Sequence, residues 1–168
     1  MIKRVLVVCA GNVCRSPMAA ALLERRLSDV TVESAGITAL VGHSADPMAV
    51  SLMRESGLDI RSHRARQLLF WMTEASDLVL VMDRFQKQFL ERRFALSRGR
   101  VYLLGEFVTT SGGSKSGCDI PDPYRRDRAS FEESLRLIEA GVDVWSARIA
   151  SLSDGSAAPE SDAGQSAS

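Results

Sequence analysis

In the stretch VVCAGNVCRSPMAAALLERR, Val7 to Arg26, two cysteines, a glycine and an arginine separate a strand-like apolar run from a helix-like one. A thiol at a strand end that faces a helix N-terminus meets backbone N–H groups and the positive end of the helix dipole, and both favour thiolate over thiol. Arg15 adds a fixed cation whose planar fork matches two oxygens of a phosphate, and Ser16 adds a hydroxyl donor. Cys9, the intervening Ala10, Gly11, Asn12, Val13 and Cys14, and then Arg15 read as a loop that holds a phosphate while sulfur attacks phosphorus in line. The loop lacks the lysine of a nucleotide-binding P-loop and the spacing of a dinucleotide fingerprint, so the phosphate need not belong to a cofactor. The spacing alone is weak, because a cysteine ending a buried strand is usually a small hydrophobe. Its position between a first strand and a Ser-Pro helix start favours the catalytic reading.

Such a site needs a proton donor for the leaving oxygen and later a base for water. CDIPDPYRRD offers Asp119, Asp122 and Asp127. Pro121 and Pro123 hold the backbone around Asp122 extended, which suits a carboxylate projected over the pocket, although Asp-Pro is also an ordinary turn dipeptide. Cys14 is close enough in sequence to Cys9 for a disulfide, and the expectation is that peroxide oxidises Cys9 and Cys14 traps it reversibly. The competing reading is a buried thiol under the loop. Cys118 reads as a bystander. His43 and His63 are too few for a metal cluster, and His63 is expected to be a structural hydrogen-bond partner, so neither metal nor other cofactor is required. Phe70, Trp71 and Met72 are expected to pack in a core or an interface. Arg125, Arg126 and Arg128 either attract an acidic, phosphate-bearing segment or form a solvated basic face.

The elements that position these residues follow from periodicity. Ile2–Val8, Val30–Gly36, Asp77–Asp83 and Arg100–Gly105 read as strands. Helices are expected from Ser16-Pro17, with the Ser16 hydroxyl capping, over Pro47–Gly57, over Arg84–Phe94 and over Ser130–Leu152. Strands alternating with helices imply an α/β fold, a four-stranded parallel sheet flanked by helices on both faces, with the phosphate loop after the first strand. The 168 residues suit one domain, expected over 1–152, followed by a polar tail, 153–168, too poor in apolar residues to order itself.

Charge is balanced at 21 basic and 21 acidic residues, so the totals ask for neither nucleic acid nor an anionic membrane. The first apolar run is too short for a secretory core or a membrane span, and three cysteines suit a reducing compartment, so the expected location is cytoplasmic. Nothing in the sequence selects an oligomeric state.

VCAGNVCRSPMAAALL, SAGI, GHSADPMAV, SHRARQL, DLVLVMD and DPYRRD, in this order and spacing, resemble the low-molecular-weight protein tyrosine phosphatases over roughly Ile2 to Leu152. The resemblance implies Cys9 as nucleophile, Arg15 as phosphate clamp, and Asp122 as general acid, with Asn12 and Ser16 bracing the loop. It implies Tyr124 as an aromatic wall of the substrate site. It is nearest to the bacterial branch associated with capsule and exopolysaccharide synthesis, which implies an autophosphorylated tyrosine kinase of polysaccharide export as partner. Leu40 stands where eukaryotic members tend to carry tryptophan, implying a more open, aliphatic rim. Two alternatives stay open: an arsenate reductase on the same scaffold, for which the usual pair of downstream cysteines is reduced to Cys118, and a catalytically silent phosphotyrosine-binding module.

Overall fold

A computed structural model describes residues 1–113 and 117–154. Four short, β-branched runs form the strands β1 (Arg4–Cys9), β2 (Thr31–Gly36), β3 (Leu78–Val81) and β4 (Val101–Leu103). All pairings are parallel, in the order β2-β1-β3-β4, which places β1 in the middle with Cys9 opposite Gly36. Among the described residues the helices are α1 (Arg15–Arg26), α2 (Pro47–Glu55), α3 (Phe70–Glu74), α4 (Arg84–Arg93) and α5 (Arg128–Asp154), with a 3-10 turn at Ala95–Ser97.

Alternation along β1 divides the core. Val5 and Val7 face Met18 and Leu22 of α1, Met53 of α2, and Ile138, Val142 and Ile149 of α5. Leu6 and Val8 face Met72 of α3, Leu90 of α4, and Phe94. Because all four strands run the same way, their carboxyl ends and the loops that follow them gather on one edge of the sheet, and Cys9 is the last residue of the central strand.

Most strand and helix ends shift by one or two residues from the sequence expectation, and three departures have a clear physical reason. α1 starts at Arg15 with Cys14 in the cap position and no side-chain cap, so Ser16 does not cap the helix; its hydroxyl is drawn to Cys9 instead. The short α3 was not expected, since five residues carry too little periodicity to stand out. α5 begins two residues before Ser130 because Asp127 accepts hydrogen bonds from the Ser130 N–H and hydroxyl, and it runs to Asp154. The rest of the expected tail, 155–168, lies outside the described residues. Of the trio expected to pack, Met72 is buried, while Phe70 and Trp71 remain about half exposed, Phe70 tilted against Phe94. No helix among the described residues is long and apolar enough to cross a membrane.

Candidate active site

The turn between β1 and α1 closes on Asn12. Its backbone adopts a left-handed conformation, φ 57°, which asparagine tolerates better than most side chains, and its side chain is fully buried. Asn12 Nδ2 donates to Ser16 Oγ at 2.7 Å and to Ser34 Oγ at 3.0 Å, and its Oδ1 accepts from the Arg66 N–H at 2.9 Å. His63 Nε2 lies 2.6 Å from the Asn12 carbonyl, and since a carbonyl only accepts, Nε2 carries the proton. Burial, with help from Arg64 and Arg66, pushes the His63 pKa down against the opposing pull of that hydrogen bond. His63 thus has the structural role expected of it.

These bonds fix the surroundings of Cys9, which is itself buried. The Asn12 N–H points at Cys9 Sγ from 3.3 Å and the Ser16 hydroxyl lies 3.0 Å away. With Nδ2 of Asn12 already donating to Ser16 Oγ, the hydroxyl proton is free to point at sulfur. The first turn of α1 stands directly behind the loop, bringing its uncapped N–H groups to the same side.

Arg15 is nearly fully buried and held from three directions. Nη1 donates to the Ile120 carbonyl at 2.8 Å and lies 3.6 Å from Asp83, while Nη2 lies 3.5 Å from Asp122. Asp83 was expected inside the third strand; it instead caps α4 with one carboxylate oxygen and faces Arg15 with the other. Ile120 N–H donates to Met82 O, and Ser134 Oγ of α5 donates to the Pro121 carbonyl, so the segment before Asp122 is pinned on both sides. Asp122 is about half exposed and accepts from the Tyr124 N–H, an Asx turn that holds its carboxylate inward. Asp119 pairs with Arg84 and Asp127 binds Ser130, so of the three aspartates only Asp122 meets Arg15.

The resulting pocket, about 160 Å³, is lined by Cys9, Ala10, Gly11, Val13, Cys14, Arg15, Thr38, Leu40, Asp122 and Tyr124. Thus the structure brings together the residues the sequence singled out. A second, shallower space of about 390 Å³ shares Val13, Leu40 and Tyr124 with it. Cys14 is buried, and its pKa is driven up by burial first, then by the negative charges of Asp46, Cys9 and Asp122, with Arg15 opposing. Cys118 is half-buried against Gly105 and does not line the pocket. Among the three arginines after the acid loop, Arg125 stacks over Tyr124, and Arg128 is tied to Glu55 and Glu132. Thr38, Ser34, Arg66, Asp83 and Ser134 were not picked out from the sequence. Only the Asp83 cap motif before a helix could have signalled one of them.

Comparison with known proteins agrees with this geometry. The family model described as "Low molecular weight phosphotyrosine protein phosphatase" matches residues 4–154. The probable low molecular weight protein-tyrosine-phosphatase EpsP of Ralstonia nicotianae is 49% identical over 152 residues, covering 90% of this chain and 99% of that protein. Among solved structures, the tyrosine phosphatase Wzb of Escherichia coli K30 with sulphate superposes with a TM-score of 0.82 at 32% identity, covering 89% of this chain and 99% of that one. The YwlE arginine phosphatase of Geobacillus stearothermophilus superposes with a TM-score of 0.84 at 31% identity, covering 94% and 99%. A match over nearly the whole described fold, with a pocket lined by Cys9 and Arg15 at the end of β1, makes this chain a member of the low-molecular-weight phosphotyrosine protein phosphatase family.

Proposed function

We propose that the protein hydrolyses phosphotyrosine in proteins through a phosphocysteine intermediate. The observation that carries this reading is the convergence of donors on Cys9 Sγ beside a buried Arg15, with Asp122 across the same pocket. The phosphate dianion sits on the Arg15 fork and the loop N–H groups. The Cys9 thiolate attacks phosphorus, the S–P bond forms as the P–O bond to the phenol breaks, and protonated Asp122 gives its proton to the departing oxygen. In the second step Asp122 takes a proton from water as the water oxygen attacks phosphorus. The S–P bond breaks, and thiolate and inorganic phosphate are released. Arg15 and the loop amides face the charge that develops on the equatorial oxygens in both steps.

Tyr124, Leu40 and Val13 give the pocket apolar walls at its mouth, which suits an aromatic ring. The likeness to EpsP and Wzb supports a substrate among autophosphorylated tyrosine kinases of polysaccharide export, the partner that the sequence resemblance implies. The likeness to an arginine phosphatase supports a second reading, phosphoarginine, on the same loop. Arsenate reduction is disfavoured by the chain having a single cysteine, Cys118, beyond the loop.

One assay separates these readings. Phosphate release is measured from p-nitrophenyl phosphate, a phosphotyrosine peptide and a phosphoarginine peptide, beside arsenate reduction with a thiol donor. The phosphotyrosine peptide is expected to be the best substrate and Cys9→Ser to abolish turnover. Preference for phosphoarginine overturns the tyrosine assignment, and retained activity in Cys9→Ser overturns the nucleophile.

A further inference from the structure

We propose that the outer face of α4 is a docking groove for an acidic, aromatic-bearing segment of the phosphotyrosine protein, apart from the residue being dephosphorylated. α4 buries Gln86 and Leu90 and leaves the opposite side to solvent. There Phe85 is 74% exposed and Phe89, one turn on, 37%. With Gln88, Arg92 and Arg93 they line a groove of about 270 Å³. Phe85, largely in water, and Phe89, about a third exposed, stand at i and i+4 and form an apolar stripe on the solvent side of the helix.

Charge selects the occupant. The chain has no net formal charge, yet residues 84–100 hold six basic residues against one acidic, Glu91. Several of these cations have duties within the fold. Arg100 binds the carbonyls of Glu74, Ser76 and Leu96, Arg98 binds that of Glu91, Lys87 lies over Tyr102, and Arg84 pairs with Asp119. Arg92 and Arg93, the two in the groove, face no carboxylate within ion-pair distance among the described residues, although Arg93 lies over the Phe94 ring. Phenylalanines bordered by uncompensated guanidinium groups fit a segment that brings both carboxylates and an apolar side chain.

The place of the groove ties it to the pocket. α4 starts at Asp83, whose carboxylate faces Arg15, and at 1.5 Å per residue Phe85 to Arg93 spans roughly 12 Å leading away from the catalytic rim. A protein whose phosphotyrosine occupies the pocket can therefore hold α4 with a neighbouring segment, and the second contact raises the effective concentration of the first. This rests on the phosphotyrosine reading, and its test has an arm that does not.

Two synthetic peptides are compared on the full chain: a short phosphotyrosine peptide, and the same peptide joined by a Gly-Ser linker to Glu-Phe-Glu-Glu-Phe-Glu. The extension is expected to lower KM about tenfold with kcat unchanged, and the gain to be lost in Phe85→Ser with Arg92→Glu, which leaves p-nitrophenyl phosphate turnover at the parental rate. Binding of the labelled, unphosphorylated extension by fluorescence anisotropy is expected to be lost in the same variant and weakened by salt. That arm reads the groove even if phosphotyrosine is not the substrate. Equal KM for the two peptides, or equal anisotropy for a Lys-Phe-Lys-Lys-Phe-Lys extension, overturns the proposal. So does tighter binding after Glu160→Gln with Asp162→Asn, which makes the chain's own tail the occupant, or a change of oligomeric state in the groove variant, which makes it a second copy.

Discussion

Replacing Asn12 by alanine tests whether the loop is held by the bonds described. The side chain makes three hydrogen bonds, to Ser16, Ser34 and the Arg66 N–H, from a fully buried position. Leaving a half-buried donor such as the Arg66 N–H unpaired costs about 1–3 kcal/mol, and alanine at φ 57° adds about 1 kcal/mol of backbone strain. The expected loss is roughly 3 kcal/mol, a fall of about 6–12 °C in melting temperature for a domain of this size. Activity falls for a separate reason. Without Nδ2 the Ser16 hydroxyl is no longer oriented toward Cys9, and a hydrogen bond to a charged group is worth about 1.5–3 kcal/mol, or about 10- to 160-fold in kcat. Asn12→Gly separates the two effects, because glycine adopts the left-handed conformation freely. It is expected to recover about 1 kcal/mol of stability and none of the kcat. Thermal melts and turnover of p-nitrophenyl phosphate provide the readouts. A melting point of Asn12→Ala within 2 °C of the parent, or parental kcat in Asn12→Gly, refutes the reasoning.

Asp122→Ala is expected to slow aryl phosphates in proportion to the basicity of the leaving group, about 10²- to 10⁴-fold for phenyl phosphate and far less for a nitrophenol; an equal loss for both removes Asp122 as the acid. His63 titrates below its ordinary value, so as pH falls the unfolded chain takes up the proton first and stability declines below about pH 6.5. His63→Gln is expected to flatten the change in urea midpoint between about pH 7 and pH 5, and an unchanged slope assigns the effect elsewhere. Because the Cys14 pKa is driven up, that residue is expected to stay a thiol and to resist iodoacetamide in the folded protein. Peptide mapping after peroxide is expected to show a slowly formed Cys9–Cys14 link that dithiothreitol reverses, and sulfonate at Cys9 without the link ends its role as a guard.

Strand and helix positions were readable because the apolar runs are short, β-branched and separated by helix formers, and because Pro47 marks a helix start; the caps supplied by Asp46 and Asp83 emerged only in the structure, Asp83 having read as the end of a strand. The site was readable where side-chain type carries the function, as for Cys9, Arg15 and Asp122. It was hidden where backbone carries it. The Ile120 carbonyl that holds Arg15, the Pro121 carbonyl that receives Ser134 and the Arg66 N–H that binds Asn12 have no signature in residue identity. Ser16 misled for the same reason. A hydroxyl beside a proline at a helix start reads as a cap, and only the position of the Cys9 sulfur shows a stronger claim on it. Gly36 is explained only in space, since a Cβ there would lie 2.5 Å from the Ala10 carbonyl and push the loop out of place.

The bond from Arg15 to the Ile120 carbonyl closes 105 residues of chain, and it joins the loop after β1 to the segment that leads into α5. In a parallel sheet of order β2-β1-β3-β4 every pairing requires a crossover, and a contact that spans nearly all of them is expected to form late in folding. A chain emerging from the ribosome without its last third holds a cysteine and an arginine but no acid and no carbonyl to fix the arginine. Turnover in a refolding experiment therefore marks the completion of the whole domain, later than any signal from the sheet alone.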